Sequence, residues 1–537
     1  MDVGNVPSGA ILRGRSLPLF TPALSSAVLR RLFVLSSTAA PVATLLGVAL
    51  AARLHSQPGV PLYPDSYEFL LAAKRLNPLA GMASTLGPAG DLWSIPFHRI
   101  GFSLLAAPLS TLPDALSALS LAAGVLQGAV LYLLLSRFAR SRLASLLVAL
   151  LVATSFSAVA WSRLPMSDST ALLLALASIL LLLLAAESCG ASRATAVVVA
   201  LGLALATRAD LVLLFPGLLA LPWSLHRPDA SARVAWLLLA SLLLWLAAIA
   251  ILMVALDGNV RGLEGGLWGI LQANLLAPGG MEGTFGTGLR AFASRELPLL
   301  AVAGLGAVVS IGRADRRGVA AALLVAVPFT VYATRDDFRY YAYLIPGLSM
   351  MAAIGLEGLA FPSCPAHPGL RPLPSVRRGP HLSSLARPAV AATITLGLFA
   401  GVMWQWSRLA EAWHPEPAYA EEAARSVSLT LKSLGIPSDA AICAPQPEAY
   451  FLETGRSTRY LLPERPASCL RGLAAGQQMV IVADALVQSA WRNGLPAGIA
   501  AWNPRLLATA PLTGAVIVGE KHYLATTPIR VFMLAKP

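Results

Sequence analysis

Apolar stretches about a membrane's thickness long, separated by short polar connectors, dominate the chain as far as Trp406. They occur at 32–53, 115–136, 143–161, 169–187, 194–209, 211–225, 234–256, 297–312, 319–334, 340–360 and 388–406. The pattern predicts an α-helical polytopic membrane protein with about eleven transmembrane helices. The pair flanking Thr207-Arg208-Ala209-Asp210 also fits a single broken helix. After Trp406 the pattern changes. Residues 418–434 have helical spacing, and short β-like runs follow at 440–444, 479–483, 515–518 and 529–534, punctuated by Gly and Pro. Residues 407–537 therefore read as a small soluble α/β domain.

Composition agrees with the pattern. Charged residues make up 12% of the chain and hydrophobic residues 56%, whereas soluble proteins carry about 25% charged residues. The net charge of +13 is almost all arginine, since the lysines are only Lys74, Lys432, Lys521 and Lys536. The basic residues are scattered between apolar runs rather than gathered on one face, which argues against nucleic acid as a partner.

Arginine placement sets an orientation. With residues 1–31 as a disordered cytoplasmic tail ending in Arg30 and Arg31, the clusters Arg137/Arg140/Arg142, Arg193/Arg227/Arg233, Arg313/Arg316/Arg317 and Arg371/Arg377/Arg378/Arg387 all fall inside. The opposite face receives the loop 54–99, the turns at Arg163–Asp168 and Arg208–Asp210, the loop 257–296 and the turn Arg335–Arg339. It also receives most of the acids. The expected organisation is a tail (1–31), a transmembrane domain (32–406) and an extracytoplasmic C-terminal domain (407–537), in a bacterial plasma membrane. Cys443 and Cys469 share that outer domain and are predicted to pair, with two unpaired buried thiols as the alternative.

The first outer loop carries the clearest chemistry. In Tyr63-Pro64-Asp65-Ser66-Tyr67-Glu68-Phe69, Pro64 and Asp65 suit a helix start and Glu68 completes a capping-box pattern. Phe69, Leu70, Ala73 and Leu76 then form the apolar face of a helix expected at the membrane surface. On local pattern alone, Asp65 also suits a plain N-cap. Farther on come Phe97-His98-Arg99-Ile100-Gly101, Ser162-Arg163-Leu164-Pro165-Met166-Ser167-Asp168, Thr207-Arg208-Ala209-Asp210 and Arg339-Tyr340-Tyr341. Asp168 at a helix start has the same N-cap alternative, and Arg208 and Asp210 could simply pair with other charges near the interface.

In order and placement these segments resemble the GT-C superfamily of membrane glycosyltransferases, which includes protein O-mannosyltransferases and aminoarabinose transferases. The resemblance covers roughly residues 32–360. It implies that Asp65, early in the first outer loop, is the catalytic base. Relatives often have a second acid directly after it; here Ser66 stands there, and Glu68 lies one helical turn on. The resemblance implies that Arg339 holds the lipid phosphate, with His98 and Arg99 as looser matches, and that Tyr340 and Tyr341 touch donor or acceptor. The implied reaction moves a sugar from a polyprenyl-phosphate donor to an envelope glycan, lipid or protein acceptor, by direct displacement with inversion.

The chemistry is consistent. A carboxylate must take the acceptor proton, and cations must stabilise the departing phosphate. Asp65 suits the first task, with Glu68 and Asp168 in support; Arg339, Arg163, Arg208, His98 and Arg99 suit the second. The outer acids leave room for a divalent metal, although no ligand spacing specifies one. The rival class is a transporter or flippase of a lipid-linked substrate, which should place its key charges within helices near the midplane; here they gather at helix ends.

Overall fold

The computed structural model describes residues 23–55, 64–77, 99–111, 115–187, 190–257, 287–333, 338–359, 386–411 and, with short gaps, 419–535. Met1–Thr44 form one compact unit and Leu45–Pro537 another. The expected inner loop at 361–387 lies almost wholly outside the described residues.

Helix occurs at every predicted span. In chain order these are α1 (Ala23–His55), α2 (Pro64–Leu76), α3 (Ile100–Ala106), α4 (Ala115–Phe138), α5 (Arg142–Ala153), α6 (Phe156–Arg163), α7 (Ser167–Glu187), α8 (Ala191–Thr207), α9 (Phe215–Ser224), α10 (Asp229–Asp257), α11 (Thr287–Arg295), α12 (Leu297–Arg313), α13 (Arg316–Tyr332), α14 (Ile345–Leu359) and α15 (Ala386–Glu411). Among the described residues, four of these helices are long and apolar enough to cross a membrane, or six if the bent pairs α5/α6 and α11/α12 each count as one span. Most of the other predicted spans hold shorter helices, because breaks and 3-10 turns interrupt the apolar runs; α15 has 26 residues. A 3-10 turn over Ala209–Leu214 lies between α8 and α9, and another over Phe338–Leu344 precedes α14.

Large apolar side chains stay exposed on the outside of the bundle, among them Trp236, Ile251, Ile311 and Phe399. Such a surface is unfavourable in water and suits acyl chains. Inside, the closest approach joins α12 and α14. A Cβ on Gly306 would lie 1.8 Å from the Met351 carbonyl oxygen, and one on Gly355 would lie 2.7 Å from the Gly306 nitrogen. Only glycine permits that backbone contact, as small residues do where membrane helices pack tightly.

The arginines predicted for the inner face gather at one end of the bundle. Arg317 donates to Asp315 (2.7 Å), Glu357 (3.1 Å) and the Phe138 carbonyl (3.1 Å). Glu357 also accepts from the Arg140 backbone N–H, and Arg313 donates to the Gly358 carbonyl. One guanidinium thus ties the α13 start to the ends of α4 and α14. Burial pushes the Asp315 carboxyl up, but the hydrogen bonds and charge of Arg317 outweigh it and hold Asp315 below the usual carboxylate range. Arg193, Arg227 and Arg233 donate to the last carbonyls of α7, where cations complement the helix dipole.

Beyond α15 lie α16 (Tyr419–Ser433), β1 (Ala441–Ala444), α17 (Pro447–Thr454), β2 (Thr458–Tyr460), β3 (Gln478–Ala483), β4 (Arg505–Ala510), β5 (Gly514–Val518), β6 (Lys521–Ala525) and β7 (Ile529–Ala535). The main sheet has the order β2-β1-β3-β7-β4. β1 runs parallel to β2 and β3, and β7 runs antiparallel to β3 and β4. Alternation along β1 and β3 sends Ile442, Val480 and Val482 to one face, with Val427 and Leu431 of α16, and Cys443, Met479 and Ile481 to the other. The expected Cys443–Cys469 disulfide is present on that second face. α17 packs against α2.

Breaking the arginine junction should be costly because it strands two part-buried carboxylates. We expect Arg317→Ala to cost about 3 kcal/mol. In thermal unfolding of the purified protein, Arg193→Ala, at an exposed site, should be near neutral. Equal midpoints for the two variants would show that the junction carries no stability.

Candidate active site

The opposite end of the bundle holds the other charges. Arg208 ends α8 in an extended conformation (φ −151°, ψ 107°), so the chain leaves the helix there and carries its guanidinium inward. That side chain is 2% exposed. Its Nη1 donates to Asp168 Oδ1 (2.9 Å), its Nε to Asp210 Oδ1 (3.1 Å) and its Nη2 to Asp210 Oδ2 (2.8 Å). The two-pronged contact uses the planar fork that distinguishes arginine from lysine.

Tyrosines close the cluster. The Tyr332 hydroxyl donates to Asp210 Oδ2 (2.9 Å) and the Tyr343 hydroxyl to Asp168 Oδ1 (3.1 Å). The rings of Tyr340 and Tyr343 lie 5.4 and 5.3 Å from the Arg208 guanidinium carbon, within cation–π range. Two carboxylates thus face the one guanidinium of Arg208, and Arg99 acts on Asp210 as well. Asp168 Oδ2 is buried without a hydrogen-bond partner, and so are the neighbouring Ser167 and Thr170 hydroxyls of α7.

Local packing places the rest. The apolar face of α2 turns onto α3 rather than onto lipid: Phe69 is fully buried against Phe102, edge to face at 5.2 Å, and Ser103 donates to the Phe69 carbonyl. Burying that face against protein satisfies it as well as a membrane surface would. α3 in turn lies on the end of α8. A Cβ on Gly101 would stand 2.7 Å from both the Thr207 nitrogen and its Oγ1, so glycine lets α3 touch the backbone that delivers Arg208. Arg99 precedes α3 and is close enough to act electrostatically on Asp210. Arg163 ends α6 with its Nε buried and without a hydrogen-bond partner. Beneath it Arg53 joins α1 to the α5/α6 break: its guanidinium donates to Ala153 O, Ala158 O and Ser162 Oγ there and to Ala49 O in its own helix.

Against the expected site the placements are as follows. Asp65 and Glu68 lie in the first two turns of α2 and Arg339 in the 3-10 turn before α14, with their side chains outside what is described. His98 lies outside the described residues. Asp168 is not a simple N-cap, because its side chain serves Arg208 and Tyr343. Arg208, expected to face a donor phosphate, has its guanidinium committed to two carboxylates. Tyr340 is half-buried over Arg208; Tyr341 is fully buried, with its hydroxyl on the Tyr332 carbonyl (2.8 Å) and its ring stacked on Phe292. Asp210, Tyr332 and Tyr343 were not expected as site residues. The Arg-x-Asp spacing was visible, but only a helix break at Arg208 makes those two side chains converge. Among the described residues, no group of three or more His, Cys, Asp or Glu side chains is placed to hold a metal.

If Arg208 organises the cluster through its fork, Arg208→Lys should destabilise the protein nearly as much as Arg208→Ala, by about 3 kcal/mol. The triple change Asp168→Asn, Asp210→Asn, Arg208→Met should recover part of the loss in thermal unfolding. A wild-type midpoint for Arg208→Lys would remove the argument from geometry.

Comparisons with known proteins follow this layout. Residues 107–261 match the family described as dolichyl-phosphate-mannose-protein mannosyltransferase. No curated protein sequence matches the chain. ArnT from Cupriavidus metallidurans, solved with undecaprenyl phosphate, superimposes with a TM-score of 0.54 at 12% identity, covering 91% of this chain and 97% of that one. The archaeal oligosaccharyltransferase AglB from Archaeoglobus fulgidus, solved with an inhibitory peptide and a dolichol-phosphate, gives 0.52 at 11% identity, covering 92% and 75%. The chain therefore shares the fold of these two solved structures over more than nine-tenths of its length.

Proposed function

We propose that this protein is a membrane glycosyltransferase that moves a sugar from a polyprenyl-phosphate donor to a hydroxyl of a glycan, lipid or protein acceptor. The observation that carries the reading is the pairing of Asp168 and Asp210 on buried Arg208, in a GT-C fold, at the end of the bundle reached by α2 and its Asp65. Solved structures of similar fold hold undecaprenyl phosphate and dolichol-phosphate, which supports a donor of that class.

In this mechanism Asp65 takes the proton of the acceptor hydroxyl as that oxygen attacks the anomeric carbon. The carbon–phosphate oxygen bond breaks on the opposite face, inverting the centre, and the electron pair leaves with the phosphate. Arg339, with Arg163, Arg99 and His98, stabilises that phosphate. Arg208 acts behind them by fixing the two carboxylates, and Tyr340 shapes the donor side. The reaction takes place on the extracytoplasmic face of a bacterial plasma membrane. Arginine crowding at the far end of the bundle supports that orientation. Residues 407–537 then lie outside and shape the acceptor side, a reading supported by α17 packing on α2.

Asp65→Asn is the discriminating test. Asn caps a helix about as well as Asp, so a structural Asp65 predicts a silent change. A catalytic one predicts a turnover loss of about a hundredfold or more with donor binding kept, measured with a panel of radiolabelled polyprenyl-phosphate sugars and envelope acceptors. Arg339→Lys should weaken donor binding as well as slow transfer. Near-wild-type transfer by folded Asp65→Asn protein would refute the base. For orientation, a reporter that works only outside the membrane should be active when fused after Pro537; activity of a cytoplasm-only reporter at that point would overturn the assignment.

A further inference from the structure

A second buried carboxyl lies outside the arginine cluster. Glu296 stands between α11 and α12, outside both helices, where the chain turns by 91°. It is fully buried. The hydrogen-bond ladder runs through it, from its N–H to the Phe292 carbonyl (2.8 Å) and from the Leu300 N–H to its own carbonyl (3.0 Å). Its Oε1 accepts the Ser157 N–H at 2.8 Å, in the first turn of α6. The α11 elbow is thereby fastened to the α5/α6 break. A second contact backs it, with the Arg295 guanidinium 4.6 Å from the centre of the Phe156 ring.

Two atoms at this joint lack partners: Glu296 Oε2 and Ser157 Oγ. The hydroxyls of Ser155 and Ser157 are close enough to act on the carboxyl. A serine hydroxyl can donate to an ionised carboxylate or accept the proton of a neutral acid, so these hydroxyls serve either state and full burial decides between them. Burial pushes the group up to about 7, against lesser opposing contributions from Ser157, Ser155 and Arg295. Other charges on the surrounding elements are Arg290 on α11, Arg163 at the far end of α6, Arg313 at the far end of α12 and Arg339 in the 3-10 turn that packs on α11 and α6. α15 meets this region through Gly401, against Pro298, and brings no charge at that contact.

The elbow connects to the site. Phe292 of α11 stacks on Tyr341 at 5.7 Å, the Tyr341 hydroxyl holds the Tyr332 carbonyl, and the Tyr332 hydroxyl holds Asp210. We propose that Glu296 is a positioning residue for the transfer reaction, acting as a neutral acid that latches α11 onto α6 and so holds the Tyr341–Tyr332 side of the charge cluster. The proposal rests on the glycosyltransferase reading for its purpose, but not for its physical content. The sign follows from the raised folded value: the fold favours the protonated group, so the latch is intact at low pH and is lost as pH rises through about 7.

The test compares the wild type with Glu296→Gln, which keeps the acceptor for Ser157 and supplies a neutral donor in place of the acid. Infrared difference spectra of protein in lipid nanodiscs should show a protonated carboxyl at about pH 5.5 that is gone at about pH 8.5, and absent from Glu296→Gln at both. Hydrogen exchange of 287–295 and 338–344, corrected for its intrinsic pH dependence, should speed up roughly tenfold across that range in the wild type and stay flat in Glu296→Gln. Undecaprenyl phosphate binding should weaken over the same range in the wild type more than in Glu296→Gln. A missing carboxyl band at low pH, or the same pH response in both proteins, would overturn the proposal. Absence of transfer with every donor, alongside the expected band and exchange, would instead sink the glycosyltransferase reading and leave the latch standing.

Discussion

A guanidinium removed from water needs counter-charge and hydrogen-bond acceptors, and each of the three Arg208 nitrogens finds one on Asp168 or Asp210. The rest of this end of the molecule is arranged around that requirement. α8 must stop at Arg208 so that the side chain can turn inward, and α7 must begin just where Asp168 can meet it. Gly101 leaves room for α3 to lie on the same turn, which brings Arg99 close and carries α2 with it. Tyr332 and Tyr343 come from elements more than a hundred residues later and supply the remaining donors. In a low-dielectric interior, such a network holds its members tightly only when every one is present.

The two ends of the bundle use arginine in different ways. At one end, single arginines cap helix carbonyls or join helix ends, as Arg317 does with Asp315, Glu357 and Phe138. At the other, arginines stand beside carboxylates and aromatic rings, and Arg163 keeps a buried N–H without a partner. The first arrangement is saturated. The second keeps an unused donor at Arg163.

Much of the fold was legible because hydrophobic run length is a strong signal. Apart from α1, the span helices start within about five residues of the apolar runs, and β1, β3, β5 and β7 coincide with the β-like runs to within a residue or two. The misses have physical causes. β2 is three residues long and includes Arg459, β4 is an edge strand with no buried position, and β6 carries Lys521 and His522. None shows the continuous apolarity of a buried strand. Span number was less legible, because a run of apolar residues does not disclose a kink such as the 48° bend between α5 and α6. For the site, residue types at loop edges identified Asp168 and Arg208, but the partner of each lay far away in sequence. Glu296 gave no signal at all, since a glutamate before an apolar run looks like an ordinary helix start.

The α5/α6 break also bears on how the protein is made. Arg53 finds its partners 100 to 109 residues downstream, in segments synthesised well after α1. Until those segments arrive, its charge has no buried acceptor beyond its own helix and is best kept at the bilayer surface, which its long stem near the end of α1 allows. The first helix can therefore be inserted early yet reach its final depth late.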